Sequence, residues 1–146
     1  MSPLAAEFHE AVIRAHEVLR NVPEDMACMP YPGGKWTRKE VVGHLIDSAL
    51  NNHQRFVRAS IDGAYVGPGY KQNEWVRIHG YGDMSWAELV LHWHTQNALL
   101  ARAVERIPLS AHVAPCRVGD EPEATLEFIV RDYLQHMRDH LTDIAA

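Results

Sequence analysis

The sequence contains no long apolar run, little cysteine and no excess of basic residues, and each absence excludes a class of protein. No stretch approaches the roughly 18 consecutive apolar residues that mark a membrane-spanning helix. The N-terminal residues lack a basic segment followed by an apolar run, so we expect no signal peptide and a cytoplasmic location. The net charge of −5 argues against a nucleic-acid-binding surface.

Two cysteines, Cys28 and Cys116, are too few for a disulfide framework and too far apart for a Cys-x-x-Cys metal pair. We therefore expect two free thiols. The 146 residues include 47% hydrophobic and 23% charged residues, a balance typical of a globular protein with one buried core. The expected organisation is a single helical bundle domain over residues 1–146.

Four long segments carry the apolar spacing of helices that face a core. The first covers about residues 4–21. The second and third each begin with a capping box, Thr37 with Glu40 and Ser85 with Glu88. The second continues to about Ser60, and Pro108 ends the third.

The fourth helix begins near Glu123 or Thr125 and continues to about Ile144. No strand-like alternation of useful length interrupts the four segments. The connection between the second and third helices, residues 61–83, is unusually long for a link without its own secondary structure. The sequence therefore predicts an all-α fold, a four-helix bundle with a long crossover between helices two and three.

This crossover contains four aromatic residues, too many for a solvated linker. Such long connections are usually functional or packed over a site. Tyr70, Asn73, Trp75 and Tyr81 could roof a pocket in the bundle. They could equally be packing residues, and the sequence leaves both interpretations open.

Two histidines, His136 and His140, lie one helical turn apart in the fourth helix. Apolar residues accompany them at steps of three and four: Leu126, Ile129, Tyr133 and Ile144. The two imidazoles are about 6 Å apart along the helix axis, a spacing at which both can bind one ion. Two buried neutral histidines, each bonded to a protein neighbour, are the alternative interpretation.

A metal site of the zinc type needs at least three protein ligands, so another helix has to supply the third. The candidates on the second helix are His44 and His53, which face nearly opposite sides, so only one of them can join the pair. Hydrophobic periodicity favours His53 but does not decide the choice. The other histidines are expected at the surface or the rim of the bundle: His9, His16, His79, His92, His94 and His112.

Four segments together resemble the DinB/YfiT-like superfamily: KWTRKEVVGHLIDSALNNHQRFVRA, GYKQNEWV, SWAELVLHWHTQNALLARAVERIP and TLEFIVRDYLQHMRDHLTDI. The likeness covers about residues 22–144. It implies a four-helix bundle with a long crossover, and a divalent metal held by one histidine of the second helix and two of the fourth. The resemblance places these ligands at His44, His136 and His140, and so favours His44 over His53.

The identity of the ion and the residues around it follow from general metal chemistry. Imidazole ligands suit zinc, nickel, copper and iron, and we expect zinc or nickel. Asp47, Ser48 and Asp132 lie one turn from the expected ligands. They could orient the imidazole rings, or they could be ordinary solvated helix residues.

Family members with an assigned activity mostly use low-molecular-weight thiols. The resemblance therefore implies a metal-dependent enzyme that transfers such a thiol, as cosubstrate, to a small electrophile. A metal-dependent hydrolase and a non-catalytic helical module that binds a metal or a small molecule are the alternatives. The resemblance also makes a homodimer the expected assembly, with neither nucleic acid nor membrane as a partner.

Overall fold

Four long helices make up most of the structure. The computed structural model describes residues 1–146 and contains, in chain order, α1 (Pro3–Arg20), α2 (Glu24–Ala27), α3 (Arg38–Asp62), β1 (Tyr65–Gly67), α4 (Gln72–His79), α5 (Trp86–Glu105), β2 (Pro115–Val118), β3 (Ala124–Thr125) and α6 (Leu126–Ala145). The bundle is formed by α1, α3, α5 and α6, which correspond to the four helices expected from the sequence. The predicted all-α bundle is confirmed.

The capping residues begin the helices at the expected places. Thr37 accepts a hydrogen bond from the backbone N–H of Glu40, and the Glu40 carboxylate accepts one from the backbone N–H of Thr37. Ser85 caps α5 in the same way, although Glu88 makes no return bond. The hydroxyl of Thr125 caps α6, which selects Thr125 over Glu123 as the start of the fourth helix.

Both α1 and α3 pack against α5 and α6. Each of α5 and α6 therefore has α1 on one side and α3 on the other. The buried guanidinium of Arg38 at the start of α3 donates a hydrogen bond of 2.8 Å to the carbonyl of Ile144 near the end of α6. Farther along, the ring of Phe56 contacts Tyr133 edge-on. These contacts show that α3 and α6 run antiparallel, with the N-terminal half of α3 beside the C-terminal half of α6.

One cluster of 31 buried apolar residues fills the bundle. Its largest fully buried side chains include Trp93 of α5, Phe8 of α1 and Phe56 of α3. Removing a side chain of this kind from water contributes about 1.5–3 kcal/mol each. All the bundle helices therefore share one core.

The buried face of α6 differs from the predicted stripe. It consists of Leu126, Val130, Tyr133, Leu134, Met137 and Ile144. Ile129, His136 and His140 are half-buried at the edge of this face. Spacings of three and four residues are compatible with more than one neighbouring face of a helix. In α6 the face that contains Val130 and Leu134 is the one that packs into the core. The two histidines thus lie where α6 meets α3.

The crossover is not irregular, and the structure contains a small three-stranded sheet that the sequence did not indicate. Tyr65 of β1 pairs in parallel with Cys116 of β2, and β2 pairs in antiparallel fashion with β3. Helix α4 follows β1 within the same connection. The strands contain only 3, 4 and 2 residues, too short for an alternating pattern to be recognised.

Two contacts that involve histidines were not predicted from the sequence. The rings of His16 on α1 and His94 on α5 stack with centroids 3.8 Å apart and an angle of 4° between their planes. Nε2 of His9 lies 3.0 Å from the carboxylate of Glu105. Both pairs join α1 to α5 at the rim of the bundle.

None of the helices combines the length and the apolarity that crossing a membrane requires. The two cysteines are free thiols, as predicted. Cys28 is exposed, whereas Cys116 is buried in β2.

Candidate metal centre

Three histidines from two helices converge at the boundary between α3 and α6. Nε2 of His136 lies 3.4 Å from Nε2 of His44 and 3.1 Å from Nε2 of His140. Each ring offers a nitrogen within 4.8 Å of the other two. His44 is only 1% exposed, and the other two rings are half-buried. The structure brings together the three residues that the resemblance implied and leaves His53 outside the cluster.

The position of His44 follows from the unusual burial of its helix. Residues 41–49 of α3 are all buried. The bundle covers one face of this segment, and Trp36 and the crossover residue Tyr81 cover others, with the Trp36 ring centroid 5.2 Å from that of His44. Hydropathy favoured His53 because it located only the face that the bundle covers, not the faces covered by loops.

Burial lowers the pKa of all three histidines. The pKa of His44 falls to about 3, chiefly because burial disfavours the charged ring and further because His140 and His136 lie beside it. Burial also lowers the pKa of His136, although Asp132 and Asp139 act in the opposite direction, and it lowers the pKa of His140. The rings are therefore neutral at pH 7, and each offers one lone pair.

Three neutral imidazoles cannot satisfy this arrangement by hydrogen bonds alone. A neutral ring has one N–H donor and one acceptor nitrogen. Nε2 of His136 faces two other Nε2 atoms, but it can donate to only one or accept from only one of them. The remaining nitrogen faces a group with which it cannot bond, and such a buried mismatch costs roughly 1–3 kcal/mol.

A cation bound by the three lone pairs removes the mismatch. Two nitrogens that bind one tetrahedral ion at about 2.0–2.1 Å lie roughly 3.3 Å from each other. The observed separations from His136, 3.4 Å and 3.1 Å, are close to this value. The donor set formed by these side chains fits a divalent metal ion of the zinc type.

Asp47 has partners other than the ring that the sequence suggested. Its Oδ1 accepts a hydrogen bond of 2.6 Å from the Tyr81 hydroxyl and lies 3.0 Å from Nδ1 of His79. Burial raises the pKa of Asp47, whereas Tyr81 and His79 act in the opposite direction. The network fastens the crossover to α3. No sequence signal linked His79 to Asp47, because the two are far apart along the chain.

Ser48 and Asp132 also make no hydrogen bond to the three rings. The Ser48 hydroxyl accepts a hydrogen bond of 3.3 Å from the Asn52 amide. Asp132 is exposed and acts on His136 only through its charge. Nδ1 of His44 and Nδ1 of His140 have no hydrogen-bond partner in the protein. Packing, rather than a carboxylate, therefore holds these rings.

A cavity of about 800 Å³ lies between α3, α6 and the small sheet, and His136 is one of its lining residues. Its walls include Ser48, Asn52, Arg55, Tyr70, Cys116, Asp132 and Tyr133. This volume is within the usual range for sites that bind small molecules. The histidine cluster thus adjoins, through His136, a space that can hold a substrate.

Of the four crossover residues named above, only Tyr70 lines the cavity. Burial raises the pKa of its hydroxyl to about 12, and the nearby Asp47 adds to the effect. Trp75 is half-buried and packs edge-on against Tyr70, with ring centroids 5.4 Å apart. Tyr81 is buried against α3, and Asn73 is exposed.

Arg55 and Cys116 line the cavity, but sequence reasoning did not select them. Arg55 follows His44 by three turns and about 20°, so a helical projection from His44 would have placed both on one face of α3. Cys116 lies in a four-residue strand that carries no sequence signal. Burial raises the pKa of the Cys116 thiol, so the group is protonated at neutral pH.

Comparison with known proteins agrees with the fold. YfiT from Bacillus subtilis, a probable metal-dependent hydrolase with an unusual four-helix bundle topology, is similar with a TM-score of 0.84 and 18% identity over 99% of this chain and 86% of YfiT. The mycothiol-dependent maleylpyruvate isomerase is similar with a TM-score of 0.82 and 14% identity over 99% of this chain and 62% of the isomerase. A histidine-to-alanine variant of that isomerase gives a TM-score of 0.80 at 12% identity and the same coverage.

At these identities the likeness shows a shared fold. The chain also spans only about three fifths of the isomerase's length, 62%. None of the curated proteins compared with the chain matches it by sequence. The family model of the DinB superfamily, however, matches residues 7–144, which is nearly the whole chain. The protein therefore belongs to the DinB superfamily.

Proposed function

We propose that the protein is a metal-dependent enzyme that transfers a low-molecular-weight thiol to a small electrophile. His44, His136 and His140 would hold a divalent ion, zinc or nickel. The observation that carries the proposal is the convergence of three neutral imidazoles beside a cavity that His136 lines. Three protein ligands leave a position for a water or a substrate, which is typical of a catalytic ion rather than a structural one.

A divalent ion in such a site lowers the pKa of a bound water to about 7 or deprotonates a bound thiol. The protein supplies the position and the environment of the electrophile, and proximity contributes to the rate. In the transfer, the thiolate sulfur forms a bond to the electrophilic carbon. The bond to the leaving group breaks, the leaving group keeps its electron pair, and the thiol proton passes to solvent. Tyr70 stays protonated at neutral pH and can donate a hydrogen bond to an oxygen of the electrophile.

Two of the similar structures are of a mycothiol-dependent enzyme, and this supports a thiol as the cosubstrate. The likeness to YfiT, a probable metal-dependent hydrolase, supports a second candidate, hydrolysis of a small substrate at the same histidines. A non-catalytic module that binds a metal or a small molecule is the remaining alternative. The homodimer and the cytoplasmic location stay predictions, and sedimentation equilibrium tests the first of them.

Elemental analysis of the purified protein tests the metal site. We expect one divalent ion per chain in the wild type and none in His140→Ala. His53→Ala is the matched control, because His53 lies on the same helix as His44 but outside the cluster. If the wild type holds no metal after reconstitution with zinc or nickel, the proposal is wrong.

Turnover of a chromogenic electrophile with and without an added thiol separates the candidate reactions. Adduct formation that requires the thiol supports transfer, whereas loss of the electrophile without a thiol supports hydrolysis. Absence of turnover in every metal-loaded form, together with a large fall in the melting temperature of His136→Ala, would support the non-catalytic module.

A further inference from the structure

The cavity contains a buried cation that has no partner of opposite charge. Arg55 is only 8% exposed and lines the cavity wall. Its guanidinium carries a permanent positive charge. No carboxylate of the protein forms an ion pair with it. Charged groups buried to this extent are rarely left unpaired, because desolvation without a counter-charge is costly.

Neutral oxygens hold the guanidinium in place. Nη1 donates to Oδ1 of Asn52 at 3.4 Å, and Nη2 donates to the carbonyl of Pro68 at 3.2 Å. An arginine has five N–H donors, so three of them remain for another acceptor. The side chain is therefore positioned without being neutralised, which is the arrangement that suits two-pronged binding of an oxyanion.

The acidic residues of the cavity do not supply the missing charge. Glu121, Glu123 and Asp132 line the cavity, but all three are exposed. Glu123 lies 4.0 Å from Arg117, and none of the three forms an ion pair with Arg55. These carboxylates are exposed, whereas Arg55 is buried, so they do not compensate its charge.

Arg55 and His136 both line the cavity, and Arg55 lies farther along α3 than His44. It shares one face of α3 with His44, and its bond to Asn52 folds the guanidinium back toward that cluster. Asn52 is eight residues from His44, about 12 Å along the helix axis. A molecule that contacts both Arg55 and the histidines has to be several bonds long, and a cavity of about 800 Å³ has room for it.

We propose that Arg55 is an anion subsite, and that the natural ligand of the cavity carries a carboxylate or a phosphate several bonds away from the group that reacts at the histidines. The subsite rests on the proposed function only for the identity of that reacting group. The anion contact itself is a property of Arg55 and its neighbours.

Matched pairs of thiols test the subsite in the zinc-loaded wild type. Isothermal titration calorimetry compares 6-mercaptohexanoate with 6-mercaptohexanol, which has nearly the same chain but no charge. We expect the acid to bind at least tenfold more tightly, the gain typical of a hydrogen bond to a charged group. 3-Mercaptopropionate is too short to contact both the histidines and Arg55. Its affinity should therefore exceed that of the matching alcohol by a smaller factor. A phosphate ester of 6-mercaptohexanol distinguishes phosphate from carboxylate as the preferred anion.

Variants of Arg55 assign the preference to this residue. Arg55→Gln should abolish the discrimination between acid and alcohol, and Arg55→Lys should retain part of it through charge alone. Arg58→Gln is the control, because Arg58 is on the same helix but exposed. A melting curve of each variant identifies loss of fold. If Arg55→Gln does not fold, the relative affinity of the wild type for 6-mercaptohexanoate and 6-mercaptohexanol tests the subsite by itself.

The outcomes separate this inference from the proposed function. If both thiols bind with equal affinity, the anion subsite is wrong while thiol binding stands. If neither thiol binds, thiol binding is wrong, and hexanoate against hexanol on the metal-free protein then decides the subsite. Preference for hexanoate that Arg55→Gln removes would support it, and equal binding or no binding of the two would overturn it.

Discussion

The ring of Tyr81 lies directly on the backbone of Gly43. A Cβ atom at position 43 would be 1.9 Å from Cδ2 of Tyr81, far inside any contact distance. This close approach brings the Tyr81 hydroxyl to Asp47, one turn farther along α3, at 2.6 Å. The glycine therefore sets the height at which the crossover lies above the helix that carries His44.

Gly43→Ala should destabilise the protein by about 1–3 kcal/mol, because the added methyl group displaces the Tyr81 ring and breaks its bond to Asp47. Urea unfolding measures the change. Gly82→Ala is the control, since a Cβ there meets no atom within 4 Å. Equal stability of the two variants would show that the Tyr81 ring moves at no cost.

Metal-free protein should lose stability as the pH falls below about 6.5. His44 titrates near 6.5 when unfolded but near 3 when folded, so the unfolded chain binds more protons within that window. The contribution is fully present above the unfolded pKa, and it is lost at about 1.4 kcal/mol per pH unit as the pH falls toward the folded pKa. Urea unfolding at pH 7.5 and pH 5 measures the slope. His44→Gln should give a shallower slope, and an unchanged slope would contradict the assignment to His44.

Arg38→Met should destabilise the end of α6. The buried guanidinium of Arg38 donates to the carbonyls of Ile144, Met29 and Pro30, and hydrogen bonds to charged groups contribute about 1.5–3 kcal/mol each. We expect a net loss of about 2–3 kcal/mol in urea unfolding, less than the sum of these bonds, because methionine also removes the desolvation penalty of a buried charge. Hydrogen exchange in the last turn of α6 should also become faster.

Arg14→Met is the control for that variant. Arg14 bonds to Glu10 on the exposed side of α1, and exposed pairs of this kind contribute less than about 1 kcal/mol. A loss of similar size in both variants would mean that the buried contacts of Arg38 add nothing beyond a surface ion pair.

Tyr133→Phe should cost about 1–3 kcal/mol, because it leaves a buried acceptor without a donor. The Tyr133 hydroxyl donates to Oδ1 of Asn97, while Nδ2 of Asn97 donates to the carbonyl of Trp93. A double-mutant cycle of Tyr133→Phe with Asn97→Ala isolates the interaction. We expect the double variant to be more stable than the sum of the single losses predicts, and strict additivity would exclude coupling between the two side chains.

Helix boundaries were predictable from the sequence because their signals are local. Thr37 and Ser85 begin their helices with a side chain that bonds three residues ahead, and such a pattern is visible without tertiary structure. The three strands were not predictable. Their pairing joins Tyr65 to Cys116 across about a third of the chain, and no alternation of useful length marks any of the strands.

The site was predictable only in part, for a related reason. His136 and His140 share one helix, so their spacing alone indicated a pair. Only the family resemblance selected His44 over His53. The hydropathy of α3 does not show that loops as well as the bundle bury residues 41–49. The partners of Asp47 were equally inaccessible, because Tyr81 and His79 reach it only after the crossover has folded.

The histidines and part of the cavity wall come from different parts of the chain. Rigid bundle helices carry His44, His136 and His140, whereas Tyr70, Cys116 and the segment 121–125 belong to short connecting elements. Exchange of the exposed residues in those elements would alter selectivity for one small molecule over another while leaving the three histidines untouched. Directed evolution toward new substrates should therefore begin in the connections, where a substitution has the least effect on folding.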